Sequence, residues 1–235
     1  MGAKITAMVT EAVILCGGLG TRLRSLVSDR PKPMAQIGDK FFLDLLIENL
    51  QSQGIKRIIL CTGYLSEYIE TRASRWSQST EIIISKEEQK LDTGGAIKNA
   101  LKHLESDVFI ALNGDSYCQF DLSKLVSHHF SKQALITITT SYQTDVTSFG
   151  SIEINENGMI TDFLEKGHNG SGFVNSGIYV IDKKVFGNIL ETKFSLERDL
   201  FPALINDRMT AFVNNFSFID IGTPESYKTA KTIFK

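Results

Sequence analysis

This chain has few of the devices that small or exported proteins use to hold themselves together. Only three of its 235 residues are cysteine, Cys16, Cys61 and Cys118, and no Cys-x-x-Cys spacing occurs. An odd count at wide spacing excludes a disulfide framework and a thiolate zinc site, and leaves reduced thiols in a cytoplasmic protein. All three lie near the ends of predicted strands, where a small core-edge residue is expected. No apolar run approaches the ~18 residues of a membrane span. The opening MGAKITAMVTEAV lacks the charged-then-apolar layout of a signal peptide. Gly2 and Thr6 satisfy the loose myristoylation pattern, which is short enough to arise by chance. Charge of one sign is also missing. The 25 basic and 27 acidic residues leave a formal net charge of −2, which argues against a nucleic-acid binder and requires any anion site to be a local cluster. His128 and His129 are adjacent on a predicted helix and so point apart, without the spacing of a metal pair. Neither repeats, low-complexity tracts nor a linker interrupt the chain.

What is present is alternation. EAVILC (11–16) is an apolar run running into glycines, as expected of a parallel strand buried on both faces. A helix over 41–54 ends on Gly54, and a strand follows at 57–63. A second helix is predicted over 66–76 with Ser66 as its cap, then a strand at 81–85, a helix over 93–104 opening at Thr93, and a strand at 107–115. This is the signature of a doubly wound parallel sheet. From about residue 134 strands follow one another closely, at 134–140, at 150–166, a pair joined by an Asn-Glu-Asn-Gly turn, and at 173–182. A helix over 195–205, a strand-like stretch 210–222 and a helix over 224–234 complete the chain. The expected object is a single α/β domain. Its Rossmann-like, mostly parallel sheet occupies about 11–133, and a smaller antiparallel lobe about 134–235.

In such sheets ligands sit beyond the carboxyl ends of the strands. The loop there, LCGGLGTRLRSLVSDRPKPM (15–34), is glycine-rich yet fits neither familiar phosphate template. It has no Gly-Lys pair for a P-loop, and Leu23 stands where the dinucleotide fingerprint needs its third glycine. Its glycines let backbone N–H groups approach an anion, Arg22 adds a charged fork, and two prolines hold Lys32 on a stiff stalk. Asp115 and Asp220 each end an apolar strand, and two such carboxylates would suit Mg²⁺ if the fold joined them. Glu165 and Lys166 close another strand. Asn175 lies inside the apolar stretch GFVNSGIYV, where an amide must tie backbone together or meet a polar ligand.

Taken in order, LCGGLGTRL…RPKPM, DTGGAIKNAL, LNGD, FLEK, VNSGIYV and FIDIGTPESY resemble the sugar-1-phosphate nucleotidyltransferases, over Leu15 to Tyr227. The Cys-Gly-Gly opening, the Pro-Met after Lys32 and Thr-Gly-Gly-Ala are most similar to D-glycero-α-D-manno-heptose 1-phosphate guanylyltransferases. Lys90-Leu91-Asp92 departs from the Pro-Leu-Gly of related members. The aspartate is similar to that of mannose-1-phosphate guanylyltransferases, which keeps that sugar open.

The resemblance implies the nucleotide-diphospho-sugar transferase fold and an enzyme making an NDP-sugar, one that would feed a capsule or other surface polysaccharide. Leu15, Gly17, Gly18, Gly20, Thr21, Thr93 and Gly94 would meet the nucleotide, and Arg22 would hold the leaving pyrophosphate. Lys32 would sit on the phosphates, and Asp115 and Asp220 would hold Mg²⁺ at the α-phosphate. Glu165 and Asn175 would face sugar hydroxyls, and Lys166 the sugar's phosphate. Arg22, Lys32 and Lys166 form the catalytic set implied. The donor is expected to be GTP and the acceptor a heptose 1-phosphate, with a mannose-1-phosphate guanylyltransferase or a sugar-1-phosphate uridylyltransferase as alternatives. A non-catalytic regulatory protein of this fold and an NAD-linked oxidoreductase are the readings from other classes. Neither nucleic acid nor membrane is an expected partner, and a homo-oligomer is compatible with the sequence.

Overall fold

A computed structural model of the chain describes residues 9–18, 23, 26–27, 29–147, 150–164, 169–205, 208–214 and 218–234. Strand β1 (Glu11–Leu15) leads through the glycine loop and a helical turn at Lys32–Met34 to β2 (Gln36–Ile37), β3 (Lys40–Phe41) and α1 (Phe42–Ser52). There follow β4 (Arg57–Thr62), α2 (Glu67–Glu70), α3 (Ala73–Trp76), β5 (Glu81–Lys86), α4 (Asp92–Ala100), β6 (Val108–Asn113), β7 (Ser116–Cys118) and α5 (Leu122–Ser131). The second half contains β8 (Ile136–Gln143), β9 (Ser151–Ile154), β10 (Ile160–Leu164) and β11 (Gly172–Asp182). A π-helical turn at Leu196–Leu200 then runs into α6 (Phe201–Ala203), ahead of β12 (Met209–Val213), β13 (Phe218–Asp220) and α7 (Pro224–Ile233).

The main sheet has the order β10-β9-β11-β6-β1-β4-β5, with β8 also pairing β11 and β12 pairing β8. Its centre, β6-β1-β4-β5, is parallel. The apolar runs there are continuous because each face has its own core. Ala12, Ile14, Ile58 and Leu60 pack with Leu43, Leu46, Ile47 and Leu50 of α1 on one side. Val13, Ile59 and Cys61 pack with Ala96, Ile97 and Ala100 of α4 on the other. Alternate side chains of one strand thus feed opposite layers. Helix α1 begins where Asp44 takes the Phe41 N–H at 2.8 Å, and the chain turns away at Gly54 with φ +87°.

The antiparallel half continues the same sheet. Strand β11 pairs with β6 through Ile178–Asp182, with β9 through Phe173 and Val174, and with β8 on both sides of a bulge, at Gly172–Asn175 and at Tyr179–Ile181. Between Asn175 and Tyr179 the register shifts, with Gly177 at φ +73°. Asn113 fills the space where a side chain on Gly177 would stand. This bulge re-aims the strand at the junction of the two halves.

Three expected elements are built differently. The helix predicted over 66–76 is two short ones, and Ser66 is itself helical with no side-chain cap. Thr71 returns its hydroxyl to the Glu67 carbonyl at 2.9 Å and Ser77 to that of Ala73 at 2.9 Å, local bonds that compete with a continuous helix. Helix α4 opens at Asp92 rather than Thr93. The stretch 210–222 is two strands in different sheets. Asn214 binds the Gln119 carbonyl at 2.5 Å where β12 ends, and β13 pairs with β7. The cysteines are buried free thiols, and burial raises all three above the ordinary thiol range.

Candidate active site

The carboxyl ends of β1, β5 and β6 converge on one cleft. Gly114 donates its N–H to the Leu15 carbonyl at 3.0 Å, and Cys16 donates to that of Cys61 at 2.8 Å, which locks neighbouring strand-end loops together. The cleft, of about 350 Å³, is lined on these loops by Leu15, Gly17, Gly18, Lys32, Asn113 and Asp115. Thr93 and Ser195 also line it.

Lys32 comes from the helical turn behind the glycine loop, and its side chain is only 10% exposed. Its ammonium meets Asp115 Oδ2 at 2.5 Å. Asp115 occupies the turn between β6 and β7. The antiparallel pairing of β7 with β13 sets Asp220 opposite Ser116, and Ile221 donates its N–H to the Asp115 carbonyl at 2.9 Å. A side chain on Gly222 would meet both Asp220 Oδ1 and Lys32 Nζ. Two carboxylates and one ammonium, from three distant parts of the chain, therefore share one corner of the cleft. Asp220 is braced there by the Gly222 N–H.

At another part of the cleft lies Glu87, the first residue after β5. Its carboxylate accepts the Leu91 N–H at 3.0 Å and rests against Gly17 and Gly63, where any side chain would collide with it. Burial pushes its carboxyl up from the ordinary range, Asp92 adds to the rise, and the Leu91 N–H and Lys90 oppose it. Asp92, beside it, is held at φ +58°, a conformation that costs a residue with a side chain about 1 kcal/mol. Lys90 at 3.0 Å and Arg198 at 3.6 Å brace its carboxylate.

This site can be set beside known proteins. The sequence profile of the nucleotidyl transferase family matches residues 11–234. The chain belongs to that family. It is 38% identical to the D-glycero-α-D-manno-heptose 1-phosphate guanylyltransferase of Campylobacter jejuni over 92% of its own length and 96% of that enzyme. Identity to the enzyme of the same name from Aneurinibacillus thermoaerophilus is also 38%, over 94% of this chain and 96% of that one. A crystal structure of HddC from Yersinia pseudotuberculosis, complexed with GMP-PN, superposes with a TM-score of 0.87 at 39% identity, covering 97% of this chain and all of that one.

In this nucleotidyl transferase the expected residues fall into three groups. Leu15, Gly17, Gly18, Lys32, Thr93 and Asp115 line the cleft, and Asp220, not itself a lining residue, stands with Lys32 around Gly222. Gly94 does not: its N–H is given to the Phe194 carbonyl at 2.9 Å, and it lies under the Phe194 ring, so its backbone donor is turned away from the cleft. Asn175 is on the bulge of β11, where its Oδ1 accepts the Gly177 N–H at 2.8 Å and its amide donates to Tyr179 at 2.9 Å. Gly20, Thr21, Arg22, Glu165 and Lys166 lie outside the described residues. Glu87, Asn113, Ser195 and Glu197 did not emerge from the sequence. Glu87 could have, since it follows a strand by the same rule that selected Asp115. Glu197 could not, because the cleft-lining hydroxyl of Thr93 that it accepts at 2.7 Å comes from 104 residues away.

Proposed function

We propose that this nucleotidyl transferase moves a guanylyl group from GTP to D-glycero-α-D-manno-heptose 1-phosphate, releasing pyrophosphate and forming the GDP-sugar. The observation that carries the base assignment is Glu87. Guanine presents two adjacent donors, N1–H and the exocyclic amine, and a carboxylate offers two acceptors. Uracil places carbonyl oxygens on both sides of its single N–H, and these would face the carboxylate's lone pairs. The match in name and length of two relatives supports the heptose.

The chemistry needs no side-chain base. A sugar 1-phosphate is already largely dianionic at neutral pH, because its second pKa is about 6. The demand on the protein is to gather anions and align them in line with the leaving pyrophosphate. Lys32 neutralises phosphate charge next to the reacting phosphorus, and Arg22 holds the departing pyrophosphate. Lys166 takes the sugar's phosphate, while Glu165 and Asn175 meet its hydroxyls. The backbone of Leu15, Gly17 and Gly18, with Gly20, Thr21 and Thr93, holds the nucleotide. The first half of the chain, about 11–133, is the nucleotide side, and 134–235 the sugar side.

Asp115 and Asp220 suit Mg²⁺. The ion takes one or two carboxylates and fills its shell with water and substrate phosphates. Two carboxylates on paired backbone, both braced by N–H groups or an ammonium, meet that need. When bound there it supplies positive charge to the α-phosphate. The three buried free thiols support a cytoplasmic location.

The test is pyrophosphate release measured for GTP, UTP, CTP and dTTP against heptose, mannose and glucose 1-phosphates. The highest kcat/KM is expected for GTP with the heptose. Preference for mannose 1-phosphate would change the acceptor, and preference for UTP would overturn the guanylyl assignment.

A further inference from the structure

We propose that Glu197 is a positioning residue that ties the nucleotide side of the cleft to the sugar side. This rests on the reading above, that the cleft holds a nucleoside triphosphate and a sugar 1-phosphate. Glu197 stands in the π-helical turn after Ser195. Its Oε2 accepts the hydroxyl protons of Thr93 at 2.7 Å and Ser195 at 2.8 Å, both cleft-lining residues. Its Oε1 faces the hydroxyl of Tyr179 at 3.4 Å. Tyr179 is wholly buried and accepts the Asn175 amide at 2.9 Å, and a further side-chain hydrogen bond reaches it from Asn113 on the cleft wall.

A carboxylate only accepts, so all three hydroxyls must give it their protons. Each hydroxyl oxygen is then left as an acceptor, and its other partners are consistent with that. Thr93 Oγ1 receives the Leu196 N–H at 2.8 Å, and the Tyr179 oxygen receives its two amides. The amide of Asn175 is thereby fixed, with its Oδ1 on Gly177 at the bulge that joins the two halves. One acceptor-only group sets the proton direction at both ends of the network.

Glutamine in the same place has nearly the same volume but one oxygen and one NH₂. Whichever way it turns, either Tyr179 or the Thr93–Ser195 pair faces a donor. Those hydroxyls must reorient, and the amides they hold with them.

The experiment compares wild type, Glu197→Gln and Tyr179→Phe by steady-state kinetics with both substrates varied, alongside thermal unfolding. Glu197→Gln is expected to raise KM for GTP and for the sugar 1-phosphate, each by about tenfold, with kcat changed less, at a Tm within about 8 °C of wild type. Tyr179→Phe, which leaves Thr93 and Ser195 on Glu197 but frees Asn175 and Asn113, is expected to raise KM for the sugar 1-phosphate more than KM for GTP. An unchanged KM for either substrate in Glu197→Gln overturns the proposal. If Glu197→Gln loses more than that in Tm, Tyr179→Phe decides, and unchanged KM values there overturn it. The wild-type substrate panel separates this from the functional reading. Should another sugar 1-phosphate be preferred, the acceptor assignment fails and the same comparison is made on the preferred pair.

Discussion

Lys32 and Asp115, 83 residues apart in the chain, form an ion pair of 2.5 Å in the lining of the cleft. Asp220 joins them because β13 pairs with β7. The ammonium and the Asp115 carboxylate hold one another in place before any phosphate arrives, and the Gly222 N–H holds Asp220, which keeps the charges oriented for the reaction.

Removing either carboxylate should therefore cost far more turnover than stability. Asp115→Asn and Asp220→Asn are each expected to lower kcat by ~10²-fold or more, and EDTA should abolish wild-type activity. Full activity in EDTA would remove the metal from the proposal.

Glu87 should set the base. Glu87→Gln is expected to lower kcat/KM for GTP by ~10-fold to 10²-fold and to narrow the gap between GTP and UTP. ITP, which lacks the exocyclic amine, should be a poorer donor than GTP with wild type and lose less with the mutant. An unchanged GTP:UTP ratio in Glu87→Gln would place base recognition elsewhere.

Arg22 and Lys166, assigned to different substrates, should fail differently. Arg22→Ala is expected to impair handling of the triphosphate, and Lys166→Ala to raise KM for the sugar 1-phosphate. Identical defects toward both substrates in both mutants would contradict the division.

His129 gives the fold a dependence on pH. It is 1% exposed, and burial lowers its pKa to about 4. Asp182 raises it and His128 and Lys184 lower it further, while Nδ1 bonds the Thr137 hydroxyl at 2.9 Å. In the unfolded chain it titrates near 6.5, so between pH 6.5 and 4 the unfolded state binds more protons. Stability is fully present above that window and falls as pH drops through it, by an amount on the order of 3 kcal/mol. Unfolding scans at pH 7, 6, 5 and 4 should show a flatter decline for His129→Asn than for wild type. Parallel curves would exclude His129 as the source.

Much of this protein is legible in its sequence because the information is local. Continuous apolar runs such as EAVILC, alternating with helical periodicity, dictate a parallel sheet buried on both faces. The rule that ligands meet the carboxyl ends of such strands then selects the glycine loop, Lys32 and Asp115. Those choices need only the preferences of short segments. Tertiary structure decided what distant segments do to one another. The pairing of Asp220 with Ser116 put a second carboxylate beside the first, and strand ends carry no mark of their partners. That the N–H of Gly94, an expected nucleotide contact, goes to Phe194, 100 residues later, is visible only in the fold. Glu197 is an unremarked acid in a helix until Thr93 and Tyr179 turn their hydroxyls toward it. A side chain's type sets which bonds it is able to make, but only the packed chain determines which partners come within the 3 Å or so over which those bonds act.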